Sequence, residues 1–278
     1  MSRLKISVFL LSILFSLSGA ADTARIAVAS NFIQPAQALG ARFQKLTPHS
    51  VAFSFGSTGK LYAQILHGAP FHVFLAADRR RPELLEQDGL AVPNARFSYA
   101  FGVLALWSAE PALFTDHSFI DQVSASKRLA MPNPKLAPYG AAARSLLKQL
   151  GYEQDLGKAL VYGESVGQAF QFVASRNASA GFVALPQVIH WRSLHPNQQD
   201  SLWIPDRSLY PAITQQAVLL TRAKNNPAAK AFFDFLKSDS ARTIILRYGY
   251  ALDARENATE NAIDNNETMA HNHHRLED

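Results

Sequence analysis

Residues Phe53–Ile65 read FSFGSTGKLYAQI. Alternating Phe53 and Phe55 predict a strand with one apolar face. Gly56, Ser57, Thr58 and Gly59 then predict a tight turn, beyond which Leu61, Ile65 and Leu66 recur at helical spacing. Strand, small hydroxylated turn and helix, in that order, gather unpaired backbone N–H groups and the positive end of a helix dipole at one point. Two hydroxyls stand beside them, so the turn is a cradle for an anion. Ser or Thr at this position also caps a helix, and one such turn does not separate the two roles. Three more turns of the same kind occur along the chain.

Upstream, Arg25–Ser30 (RIAVAS) reads as a buried strand that passes through Ser30–Asn31 into a helical pattern ending near Thr47–Pro48. Downstream, Phe71–Leu75 is a strand and Arg81–Asp88 a helix stopped by Gly89. This β-α-β-α-β rhythm predicts a mostly parallel sheet covered by helices. Ala100–Trp107 (AFGVLALW) reads as one long apolar strand able to carry the chain out of a first lobe. Leu129–Met131 and Leu160–Tyr162 are strands leading into helices at Tyr139 and Val166, the first opened by Pro138. Ser165 with Gln168 reads as a capping box at the second. Ala180–Leu185 is another buried strand, Ala217–Thr221 the return strand, and two helices close the core by Gly249. Such a core suits two α/β lobes, 22–101 with 218–253 and 102–217, joined by hinge strands at 100–107 and 213–221 around a cleft. Ligands of such sheets sit at the strand C-terminal ends, where the helices begin.

The start of the chain has Arg3 and Lys5, an apolar run from Ile6 to Leu17 and small residues Ser18–Ala21, the layout of an export signal over 1–21. There is no cysteine, which excludes disulfides, thiolate nucleophiles and cysteine metal sites. With 48% apolar residues the chain can still build a full core. Residues 254–278 are polar and read as a disordered tail, and His271, His273 and His274 there read as solvated. The total charge of +5 leaves +7 to the core once +2 in the signal and −4 in the tail are set aside. Arg79–Arg81 is the one tight basic run; without interleaved aromatics it reads as a helix start, so no nucleic-acid partner is expected.

Taken together, FGSTGKLYAQI…GAPFHVFLAAD, NPKLAPYGAAA, GESVGQAFQFVAS, GFVAL and the ending RYGY resemble the periplasmic molybdate-binding proteins of ABC importers. The likeness runs from about Arg25 to Tyr250. It implies a two-lobed class II periplasmic binding protein, monomeric and without enzymatic activity. Such a protein closes on one tetrahedral oxyanion, molybdate or tungstate, and delivers it to a membrane permease. Carried across by position, the oxyanion contacts fall on Ser30, Asn31, Ser57 and Thr58 in the first lobe. In the second they fall on Tyr139 and the backbone at Val166. No cofactor and no metal-cation ligand is implied. The chemistry agrees, since an oxyanion dianion needs donors only and neutral donors at helix starts supply them. The chain departs from relatives at Ala184, where some carry tyrosine, and at His72, where many carry aspartate; these positions leave the preferred oxyanion open. Tyr139 is expected to replace the hydroxyl missing at Ala184.

Three other chemistries compete. Gly163–Gly167 (GESVG) matches the G-x-S-x-G elbow of serine hydrolases, which would make Ser165 a nucleophile. That fold requires Ser, then an acid, then His, yet no Asp or Glu lies between Ser165 and His190 or His195. A nucleotide-binding loop would need Gly where Ser54 stands and Ser or Thr where Leu61 stands. Iron binding would call on His72 and Asp78, but the expected cleft turns carry neutral donors.

Overall fold

The computed structural model describes residues 22–124, 126–152 and 156–253. The expected export signal over 1–21 and the tail over 254–278 lie outside these residues. Strand β1 (Thr23–Ala29) runs into a short 3-10 turn at Ser30–Phe32 and helix α1 (Ile33–Leu46). Next come β2 (Ser50–Gly56), α2 (Thr58–Leu66), β3 (Val73–Ala76) and α3 (Arg80–Gln87). The pair β4 (Ala91–Gly102) and β5 (Leu104–Ser108) follows, then β6 (Leu129–Pro132) and α4 (Pro138–Gln149). Beyond these lie β7 (Leu160–Gly163), α5 (Val166–Ala174), β8 (Ala180–Ala184), α6 (Leu185–Leu194) and β9 (Ser201–Trp203). Strand β10 (Ile213–Leu220) and helices α7 (Pro227–Phe235) and α8 (Asp239–Arg247) complete the order.

The strands form two five-stranded sheets, β2-β1-β3-β10-β4 and β7-β6-β8-β5-β9. Each begins with three parallel strands in the same order and ends with two strands joined by antiparallel pairing. Two mixed sheets, each flanked by helices, make a two-lobed molecule of the periplasmic-binding-protein type. The first lobe's core packs Leu39, Phe43 and Phe232 against the buried face of β1, with Phe43 edge-on to Phe232 at 5.3 Å. In the second lobe Trp107 stacks on Phe170 at 4.9 Å. Aromatic side chains of this size dominate such cores through the apolar area they remove from water.

The apolar run Ala100–Trp107 is not one strand. Gly102 ends β4 opposite Ile213 in the first sheet, whereas Leu104 begins β5 opposite Ala184 in the second. The break falls where the Tyr139 hydroxyl presses on the chain: a Cβ on Gly102 would lie 2.2 Å from it. Only glycine lets the two approach so closely. The return strand also starts earlier than its apolar stretch, because Ile213–Gln216 pair with β4 and β3 although Thr214, Gln215 and Gln216 are polar. The expected lobe boundary at 217/218 therefore cuts a first-sheet strand, and the crossing lies between β9 and Ile213. A further crossing joins the two expected: Phe101 N–H donates to Ala251 O at 2.8 Å, and Ala251 itself packs in the second lobe's core. Helix α6 went unread because AGFVAL runs into it with no intervening turn.

Candidate functional site

Four helical starts meet across the cleft. The turn at Ser30 touches the start of α5, where Gly167 N–H donates to Ser30 Oγ at 3.1 Å. The start of α2 touches the loop before α4, where Gly59 N–H donates to Leu136 O at 2.8 Å. Arg81 Nη2 donates to Lys135 O at 3.0 Å on the rim, and Lys60 pairs with Glu164 at 2.9 Å. Every one of these contacts crosses from one lobe to the other, so this is the closed arrangement. A crevice of about 770 Å³ opens beside it, lined from both lobes by Ser30, Phe55, Ser165, Gly167 and Gln168 among others.

All six residues expected to hold the oxyanion are buried: Ser30, Asn31, Ser57, Thr58, Tyr139 and Val166. Their hydrogen bonds show which of them can donate. Ser30 Oγ accepts from Gly167, Ser57 Oγ from Lys60 N at 3.3 Å, and Thr58 Oγ1 from Ala77 N at 3.2 Å. A hydroxyl whose lone pair already takes an N–H keeps its own hydrogen to give. Within the first turns, the N–H groups of Gly59, Lys60 and Leu61 in α2 and of Gly140 and Ala141 in α4 are taken. So are those of Gly167, Gln168 and Ala169 in α5. Among the described residues this leaves the N–H groups of Thr58, Tyr139 and Val166 without partners, one at the start of each of α2, α4 and α5.

Tyr139 reaches from α4 across Gly102 toward Tyr250, and its hydroxyl is buried without a hydrogen-bond partner. The hydroxyls of Tyr139 and Tyr250 lie side by side. Burial, with the neighbouring tyrosines, pushes the Tyr139 hydroxyl well above the usual tyrosine range, so it stays a donor. Asn31 departs from the expectation of donors throughout. Both hydrogens of its Nδ2 are used, on Gln215 Oε1 at 2.8 Å and on the Tyr250 hydroxyl at 3.0 Å, and Oδ1 is left unpartnered. The polar network behind it, made of Tyr99, Gln215 and Tyr250, was not found from sequence. Its one local signal is the polar run Thr214–Gln216 ahead of the apolar part of β10.

The two departures from relatives now have places. His72 lies at the opposite end of the sheet from the helix starts, and its Nδ1 accepts from Arg25 N at 3.0 Å. Burial, then Arg25 and Arg222, lower its pKa, so it is a neutral strand-end residue. Ala184 packs in the same cluster as Tyr139. Ser165 caps α5 by accepting from Gln168 N at 3.2 Å, while Gln168 reaches back to Glu164 N at 2.6 Å, one residue earlier than a capping box with Ser165 would have it. Leu61, at the magnesium position of a nucleotide loop, is a buried core residue. Asp78 is paired with Arg81, and the described residues hold no cluster of metal-ligating side chains.

Residues 24–251 match the bacterial extracellular solute-binding protein family. The molybdate-binding protein ModA of Azotobacter vinelandii is 46% identical over 239 residues, covering 86% of this chain and 94% of that protein. ModA of Rhodobacter capsulatus is 43% identical, covering 86% and 92%. The solved periplasmic molybdate-binding protein of Azotobacter vinelandii superposes with a TM-score of 0.77 at 38% identity, covering 83% of this chain and 99% of that one.

Proposed function

Because the chain belongs to the bacterial extracellular solute-binding protein family, we propose that its cleft captures one molybdate or tungstate ion for the membrane permease of an ABC importer. The observation that carries this reading is the ring of unspent donors. It comprises the N–H groups of Thr58, Tyr139 and Val166 and the hydroxyls of Ser30, Ser57, Thr58 and Tyr139. They come from both lobes and need no lysine or arginine; Lys60 and Arg81 are engaged with Glu164 and Asp78. Helix dipoles add partial positive charge to the same point. A dianion carrying no proton uses every donor, whereas hydrogen phosphate must find an acceptor for its own.

Capture and delivery, not catalysis, is the role of this site. Ser165 accepts the Gln168 N–H as the cap of α5, and no histidine bonds to it among the described residues. The protein is exported, works in the periplasm as a monomer, and meets the permease when closed. Calorimetric titration with molybdate, tungstate, sulfate and phosphate tests the reading. One site per chain, with molybdate or tungstate far tighter than phosphate, is the expected result; equal affinity for phosphate and molybdate refutes it.

A further inference from the structure

The Asn31 amide is held in a buried network that leaves two loose ends. Nδ2 donates to Gln215 Oε1 and to Tyr250, Tyr250 donates to Asn31 O at 2.7 Å, and Tyr99 donates to Gln215 Oε1 at 3.0 Å. Asn31 Oδ1, an acceptor, and Gln215 Nε2, a donor, are both buried and unpartnered. An oxyanion beside Asn31, as proposed above, would meet this unpartnered lone pair, and a lone pair repels an anion.

Oxygen and nitrogen of a side-chain amide occupy nearly the same volume, so each amide has a second orientation reached by a half-turn. When both turn, the bond between them survives with its direction reversed, Gln215 Nε2 donating to Asn31 Oδ1. The second Nε2 hydrogen goes to the Tyr99 oxygen, and Tyr99 directs its own hydrogen to Ala76 O, already 3.4 Å away. Asn31 Nδ2 gives up Tyr250 and faces the ligand. The turned arrangement sets Asn31 Oδ1 against the Tyr250 oxygen, whose hydrogen is given to Asn31 O, so it is the less stable one without ligand, and a charge-assisted bond to an anion selects it.

We infer that Gln215 is a positioning residue that turns Asn31 from acceptor to donor when a proton-free oxyanion enters, and so sets selectivity against protonated oxyanions. The inference rests on the proposed placement of Asn31 beside the anion. Its support is the pairing of an orphaned acceptor with an orphaned donor on two bonded amides, each almost wholly buried.

The test titrates molybdate and inorganic phosphate into the parent protein and into Gln215→Met and Gln215→Leu, with Asn31→Ala as control. Without the amide at 215, Asn31 Oδ1 has no donor to turn to. Molybdate should then bind about tenfold to a hundredfold more weakly, while phosphate changes by less than about threefold on the same reasoning. Equal weakening of both oxyanions, or of neither, overturns the inference. A loss in Asn31→Ala without one in either Gln215 variant overturns it while leaving the oxyanion site intact; no loss in Asn31→Ala removes Asn31 from that site. Nuclear magnetic resonance on the parent gives an independent reading. Coupling across the hydrogen bond should show the 31 side chain donating to 215 without ligand, and 215 donating to 31 with molybdate. The same donor in both states overturns the inference too.

Discussion

The hydroxyl of Tyr139 is buried with no partner inside the protein, so its removal breaks no internal bond. Tyr139→Phe should therefore keep the unliganded melting temperature and lose one charge-assisted bond to the oxyanion, worth about 1.5–3 kcal/mol. Binding weakens by roughly tenfold to a hundredfold, and an unchanged dissociation constant would take Tyr139 out of the site. The buried tyrosines also set an alkaline limit. Burial raises the pKa of Tyr99, Tyr139 and Tyr250 in the folded protein above the ordinary value of about 10. Below that value both folded and unfolded chains hold the protons, and nothing is lost. Above it the unfolded chain sheds protons that the core retains, so stability falls as pH rises. The melting temperature should be level from about pH 7 to 9 and drop beyond about pH 10, less steeply in Tyr139→Phe. A parent and variant with the same alkaline slope would show that this hydroxyl does not contribute.

At the scale of single elements, the helix starts were the legible part of the chain. Ser57 and Ser165 each cap the helix their spacing predicted, α2 and α5. Pro138 opens α4 as expected, because its missing N–H falls where no helix partner exists. What escaped were elements whose signal depends on neighbours. Helix α6 follows β8 without a break, and the strand expected at 213–221 is not itself the crossing but lies wholly in the first sheet, its polar residues finding partners on β4 and on the turn at Asn31. Ser165→Ala should cost about 1 kcal/mol of stability through the lost cap, lowering the melting temperature by about 2–4 °C at this size. Ester hydrolysis should be absent from parent and variant alike. Hydrolysis that is present in the parent and vanishes with Ser165 would restore the nucleophile reading.

For the whole molecule the consequence is closure. The contacts Ser30–Gly167, Gly59–Leu136, Arg81–Lys135 and Lys60–Glu164 all join the two lobes, and all lie around the helix starts. An open molecule offers a ligand the donors of one lobe only, so a bound oxyanion favours the closed state by the donors of the other. Small-angle scattering should show the protein becoming more compact on saturation with molybdate. Identical profiles with and without ligand would rule out closure driven by the anion.

Periodicity and capping residues by themselves determined the alternation of strands and helices, and with it the donor-rich turns at Ser30, Ser57, Tyr139 and Val166. Those signals are local, carried within a few residues of each turn. Tertiary structure alone decided that Gly102 breaks one apolar run into two sheets, that residues near Ala251 add a further crossing, and that Gln215, Tyr99 and Tyr250 close around Asn31. Asn31 lies 184 residues from Gln215 and 219 from Tyr250, and no local pattern encodes a bond across such a distance. Whether an amide offers an anion its hydrogens or its lone pair depends on what stands behind it, and folding brings that from elsewhere in the chain.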